Sequence, residues 1–142
     1  MIKRLKYPPI VSSLLGDTLF QGGCGRFFEG TADQMYHALI NVLGTLPDNT
    51  QIYCGHESSL QNLAFGLHVE PDNEFVSNRI SWAREQREKS QPTVPSLLSE
   101  EKAFNPFMRV HEPSVQSHAK QTDPIETMKS LRTEKDSFKA NV

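Results

Sequence analysis

"LLGDTLFQGGCGRFFEG", residues 14–30, decides how the rest of the chain is read. Residues 11–15 are a short apolar, partly β-branched run stopped by Gly16 and Asp17, the pattern of a buried strand. The loop that follows is bare, with Gly22, Gly23 and Gly25 close together and Gly30 at its end. Glycine permits tight turns and close backbone approach, so the loop is expected to bend sharply beside a site. It is not a phosphate cradle: it lacks a G-K-[ST] ending and does not match the dinucleotide fingerprint. Arg26 is the one group in the loop that could meet an anion; its plain alternative is a solvated loop arginine.

Outward from this stretch, Thr31 can cap a helix with Gln34 three places on, and Ala32, Met35, Leu39, Val42 and Leu43 recur at helical spacing until Gly44. "LPDNT" reads as a turn, and "TQIYCGH" as a second strand ending on Gly55 and His56. The order strand, loop, helix, turn, strand predicts a layered α/β unit. From Ser59 the pattern is helical. Leu60, Leu63, Ala64 and Leu67 form one stripe; after "EPDN", Phe75, Val76, Arg79, Ile80 and Ala83 form another, with Trp82 beside it. "QPTVPSLLSEEKAFNPFMRV", with three prolines, reads as an extended connector pinned by packing. A last helix is predicted from Pro124 to about Phe138, with Pro124 at its first position and Ile125, Met128, Leu131 and Phe138 inward. The boundary between the two patterns lies near residue 60.

With 142 residues and 37% hydrophobic content, the chain can build one core with a smaller appendage. A net charge of -2 and a pI near 6.2 argue against a nucleic-acid partner. The start, "MIKRLKYPPIVSSLL", has no acid before Asp17, but Pro8 and Pro9 interrupt it as a signal peptide and it is short for a mitochondrial presequence. No segment is long and apolar enough for a membrane span. The expected location is cytoplasmic, with mitochondria the alternative. Cys24 and Cys54 read as reduced packing residues rather than a bridge.

An acid or histidine just after a buried strand is where layered α/β folds place ligands and catalytic groups. Asp17 and His56 both occupy such positions, and a carboxylate and an imidazole are ordinary ligands for zinc or iron. Each also has a plain structural reading, Asp17 as a loop cap and His56 as a half-buried histidine. Arg132 and Lys135, three apart, share a helix face that could hold carboxylates, although Glu134 and Asp136 alternate with them. No Ser/His/Asp order stands out, and His37, His68, His111 and His118 are too scattered to read as ligand pairs.

The blocks "LLGDTLFQGGCGRFFEGTADQMYHAL", "IYCGHE", "LAFGLHVEPDN", "PTVPSLLSEE", "NPFMRV" and "LRTEKDSF" together resemble the later half of glyoxalase II, the hydroxyacylglutathione hydrolases, over about residues 14–138. The resemblance implies an α/β fold. Residues 1–60 would be part of a metallo-β-lactamase-type layered (αββα) domain, and residues 61–142 an all-α C-terminal domain. It implies hydrolysis of S-D-lactoylglutathione-type thioesters to glutathione and a 2-hydroxy acid by a hydroxide held between two metal ions, zinc, iron or manganese. Asp17 matches the bridging carboxylate and His56 a histidine ligand. Arg26 matches a basic loop residue for the substrate, and Arg132 and Lys135 match the pair that contacts glutathione.

The departures are equally specific. The family's T-H-x-H-x-D-H motif is absent, no H-x-H occurs, and Phe28 and Ser58 stand where tyrosines are common. Of seven expected protein ligands the sequence supplies two, whereas a catalytic zinc ordinarily takes three and a water. The sequence therefore predicts a truncated, inactive member of the family. The alternative is a non-catalytic remnant that binds glutathione-like anions or a protein. A persulfide dioxygenase is a weaker match, because that family lacks the helical tail. Residues 61–138 are expected to stay helical, and the first sixty to be loosely ordered or self-associating through exposed strand edges.

Overall fold

The computed structural model describes residues 18–26, 31–54 and 58–140, together with the backbone of 2–6 and 11–15. Ile2–Lys6 (β1) and Val11–Leu15 (β2) pair antiparallel, in register from Ile2 opposite Leu15 to Lys6 opposite Val11. β1 was not expected from the sequence: its apolar residues, Ile2 and Leu5, do not alternate, so pairing with β2 rather than local pattern makes it a strand. Leu19–Phe20 (β3) and Gly23–Cys24 (β4) then form a separate hairpin. Gly22 sits at its tip with φ +75°, a conformation glycine adopts without the penalty of a Cβ.

The predicted Thr31 capping box is formed: Thr31 Oγ1 accepts from the Gln34 amide, and Gln34 Oε1 accepts from the Thr31 amide. Ala32–Tyr36 (α1) does not continue as one α-helix to Gly44. It widens into a π-helical stretch, His37–Val42, and tightens into a 3-10 turn, Leu43–Thr45. The chain then enters Gln51–Cys54 (β5), parallel to β2. Leu15 and Cys54 are register partners, so the chain leaves both strands at the same edge of the sheet. Asp17 and His56, two residues beyond these partners, lie outside the described residues.

Two helices follow, Ser59–Val69 (α2) and Glu74–Glu88 (α3), the latter capped by Asn73 Oδ1 on the Phe75 amide. Val76, Ile80 and Ala83 are buried as predicted, but Phe75 is 64% exposed and belongs to no stripe. The proline-rich stretch is not merely an extended connector. Ser96–Leu97 (β6) adds antiparallel to β5, and Leu98–Phe104 (α4) starts immediately after it, Glu100 closing back on the Leu97 amide at 2.9 Å. Pro106–Met108 forms a 3-10 turn, and Pro113–Ala119 (α5) is a helix the sequence reading omitted. Pro124–Ser137 (α6) begins with Pro124 at the first position as predicted, and Asp123, which the sequence reading did not name, caps it.

The fold is therefore α/β in its first part, with a four-stranded sheet ordered β1-β2-β5-β6, and mostly helical after residue 58. One buried apolar cluster runs across both parts. It joins Leu19, Leu39, Leu43 and Ile52 to Phe65, Leu98, Phe107, Met128 and Leu131. All nine are at most 1% exposed, so these apolar side chains of the first segment are covered by the second. A smaller cluster of Leu63, Val76, Ile80, Ala83 and Phe104 lies between α2, α3 and α4. Among the described residues no helix is long and apolar enough to cross a membrane.

Candidate functional site

The glycine-rich hairpin is clamped into the helical part by buried polar groups. Gln21 Nε2 donates to the Thr93 carbonyl at 2.6 Å, and Gln21 Oε1 accepts from Arg79 Nε at 3.2 Å. Asn105 Nδ2 donates to the carbonyls of Phe20 (3.3 Å) and Gly23 (3.1 Å) and to Glu101 Oε2 (2.8 Å). Glu101 in turn accepts from the Gly22 amide at 3.2 Å and from Ser96 Oγ at 2.8 Å. Burial pushes the Glu101 carboxyl up to about 7, against the pull of these donors and of Arg79.

This docking explains the missing side chains. A Cβ at Gly22 would lie 3.1 Å from Leu63 Cδ2, and one at Gly23 would lie 3.0 Å from both Asn62 Cγ and Lys135 Nζ. The sequence suggested that the glycines clear space beside a site. The structure gives that space at Gly22 and Gly23 to side chains of α2 and α6.

One result is a cavity of about 420 Å³ between the hairpin, the start of α2 and the end of α6. Arg26, Ser58, Arg132 and Lys135, four of the predicted residues, all line it, with Asn62, Asp136 and Lys139. Phe28, like Asp17 and His56, lies outside the described residues. Four cations thus face one carboxylate among the described lining residues, on a chain whose net charge is -2. The cavity is a local cationic site that composition could not reveal.

The cations are not equivalent. Arg132 is only 6% exposed. Its Nη1 donates to the Cys24 carbonyl at 2.7 Å, while Nε and Nη2 donate to Asp136 Oδ1 at 3.1 and 2.9 Å. It therefore pins α6 to the hairpin as well as charging the wall. Asp136 also pairs with Arg26, Nε to Oδ1 3.5 Å. Lys135 donates to Asn62 Oδ1, and Asn62 Nδ2 donates to Ser58 Oγ at 3.1 Å. Burial, reinforced by Arg132, holds the Lys135 ammonium down to about 8. An incoming anion would relieve that penalty, which marks Lys135 as the group most responsive to a ligand.

Cys24, on the same wall, is buried, and desolvation raises its thiol to about 11 despite Arg132 and Lys135. It stays protonated and packs, consistent with the expected reduced role; Cys24 and Cys54 are not bonded to each other. Asn62 and Asp136 were missed at the sequence level. Only the i,i+4 spacing of Arg132 and Asp136 offered a local cue.

Two of the histidines that read as scattered along the sequence come together in space. His68 at the end of α2 and His118 at the end of α5 meet at Glu134 of α6, within one group of possible metal ligands. Elsewhere His111 Nε2 lies 2.9 Å from Tyr36 Oη.

Comparison with known proteins adds an independent line. The family model described as "Hydroxyacylglutathione hydrolase C-terminus" matches residues 57–138. A "Probable hydroxyacylglutathione hydrolase" of Schistosoma mansoni is 58% identical over 123 residues, 87% of this chain and 51% of that protein. A "Hydroxyacylglutathione hydrolase-like protein" of Gallus gallus is 54% identical over 124 residues, 87% of this chain and 44% of its own length. A "Hydroxyacylglutathione hydrolase cytoplasmic" of Arabidopsis thaliana is 51% identical, covering 87% of this chain and 48% of that protein. The chain spans about half the length of these curated relatives.

Proposed function

Because the chain belongs to the hydroxyacylglutathione hydrolase family, we propose that its cationic cavity holds the glutathione portion of a 2-hydroxyacyl thioester. The observation that carries this reading is the convergence of Arg26, Arg132, Lys135 and Lys139 on one cavity, opposed among the described residues by the carboxylate of Asp136. Glutathione carries two carboxylates at neutral pH, and charge-assisted hydrogen bonds are the strong ones. Lys135 supplies the responsive cation, Arg26 an exposed partner at the rim, and Arg132 the fixed wall. Ser58 and Asn62 offer neutral polar contacts, and Phe28 belongs to the same proposed binding set. Residues 1–60 then correspond to part of a metallo-β-lactamase-type layered domain and residues 61–142 to the family's helical C-terminal domain.

Hydrolysis is a separate question of ligands. In this reading Asp17 and His56 would contribute to a zinc, iron or manganese centre. One carboxylate and one imidazole fall short of the three protein ligands a catalytic metal ordinarily takes. The donor set does not fit a complete centre, and no hydrolytic step follows from these residues. Our proposal for these 142 residues is recognition of the thioester without turnover. A cytoplasmic location is supported by the name of the Arabidopsis relative.

Calorimetric titration with S-methylglutathione, combined with metal analysis and S-D-lactoylglutathione turnover, tests both parts. Saturable binding that weakens at least tenfold in Lys135→Ala is expected, since a hydrogen bond to a charged group contributes about 1.5–3 kcal/mol. No binding to the unsubstituted chain would refute the cavity assignment. Stoichiometric metal with turnover abolished in Asp17→Ala would refute recognition without hydrolysis.

A further inference from the structure

We propose that His68, His118 and Glu134 form a second site, distinct from the Asp17 and His56 donors, for a first-row transition-metal dication such as zinc. His68 Nε2 lies 2.6 Å from Glu134 Oε1, and His118 Nε2 lies 2.9 and 3.0 Å from its two carboxylate oxygens. The three ligand atoms all fall within 4.8 Å of one another. A tetrahedral ion with metal–ligand distances of about 2.0–2.2 Å sets its ligands about 3.4 Å apart. The present nitrogen–oxygen distances of 2.6–3.0 Å are shorter than that spacing, so the imidazoles must draw back from the carboxylate to admit the ion.

The donors come from three different helices, so local sequence does not account for their meeting. The two imidazoles stand edge to face, centroids 5.0 Å apart, and the aromatic ring of Phe138 packs on His68 at 5.1 Å. The side chains are partly sheltered, with 47%, 21% and 31% exposure for His68, His118 and Glu134. An ion can therefore enter from the His68 side and retain a water as its fourth ligand. Two imidazoles and one carboxylate suit zinc, cobalt, nickel or copper better than magnesium or calcium, which favour all-oxygen sets.

Such an ion would cross-link the ends of α2 and α5 to α6, the helix that carries Arg132 and Lys135. Its role is to fix α6 against the other two helices, and this inference does not depend on the thioester reading. A paired imidazole and carboxylate alone would explain one histidine. Convergence of both Nε2 atoms on one carboxylate is the arrangement of a ligand set.

The test uses the full chain carrying Asp17→Ala and His56→Ala, stripped with chelator and titrated with zinc chloride in a calorimeter. One zinc per chain is expected, with affinity falling at least tenfold when His118→Gln or Glu134→Gln is added. Zinc should also raise the melting temperature of the parent and not of these variants. Because a variant could fail to fold, cobalt(II) is added to the parent chain and the histidine ring resonances are followed by NMR. Selective broadening of His68 and His118, with His37 and His111 spared, supports the site. Uniform broadening, no broadening, or zinc affinity unchanged by His118→Gln overturns it.

Discussion

Replacing Lys135 with methionine should make the free protein more stable while weakening anion binding at least tenfold. The ammonium titrates at about 8 instead of 10.5, chiefly through burial. Each tenfold change in proton affinity is about 1.4 kcal/mol, so the folded chain disfavours the charged form by about 3 kcal/mol. Residual solvent access reduces this to about 2 kcal/mol. Losing the hydrogen bond to Asn62 offsets about 1 kcal/mol, leaving a net gain of about 1 kcal/mol at pH 7.

The sign with pH follows from proton counting. Between 8 and 10.5 the unfolded chain holds a proton on this lysine that the folded chain has released, so native stability rises with pH across that window. It falls again as pH drops through 8. Methionine cannot titrate, so the stability difference should move by about 2 kcal/mol between pH 7 and pH 10, turning the gain of Lys135→Met into a deficit of about 1 kcal/mol. Urea unfolding followed by the fluorescence of Trp82, the chain's one tryptophan, measures this, provided the m-value is unchanged. A stability difference that is constant with pH, or a less stable variant at pH 7, would show that Lys135 is not a desolvated cation.

Three further outcomes follow from the same geometry. Glu101, raised to about 7 by burial, holds a proton in the folded chain that the unfolded chain releases above 4.5; its contribution is full below 4.5 and lost as pH climbs through 7. Urea midpoints should therefore show up to about 3 kcal/mol more stability lost from pH 4.5 to 8 in the parent than in Glu101→Gln. Gly23→Ala places a Cβ 3.0 Å from Asn62 and Lys135, and overpacking of this kind costs about 1–3 kcal/mol. Calorimetric scanning should show a lower melting temperature together with weaker S-methylglutathione binding. Asp136→Asn removes the carboxylate that competes for Arg26 and Arg132, so S-methylglutathione should bind about three- to tenfold more tightly at low salt. Weaker binding in that variant would mean that positioning of Arg132 outweighs the competition.

Some local determinants are legible in the sequence and others are easily passed over. The Thr31 box and the Pro124 start depend on groups within four residues, and both formed. Pro113 carries the same first-turn cue for α5 as Pro124 does for α6. In residues 91–110 the prolines point to extended chain, while Glu100, three places after Leu97, marks the start of α4. For the candidate site, family resemblance marked Arg26, Ser58, Arg132 and Lys135 in advance. Spacing alone supported only Arg132 with Lys135.

The chain by itself therefore determined the starts of its first and last helices, its two expected strands and its family, because capping, hydropathy period and motif blocks are properties of neighbouring residues. Tertiary structure decided the rest. Glu101 meets Gly22 across 79 positions, Lys135 meets Asn62 across 73, and His68 meets Glu134 across 66. Whether a lysine is desolvated, a carboxylate protonated or two histidines convergent depends on what packing brings from far along the chain. No local pattern encodes that neighbourhood.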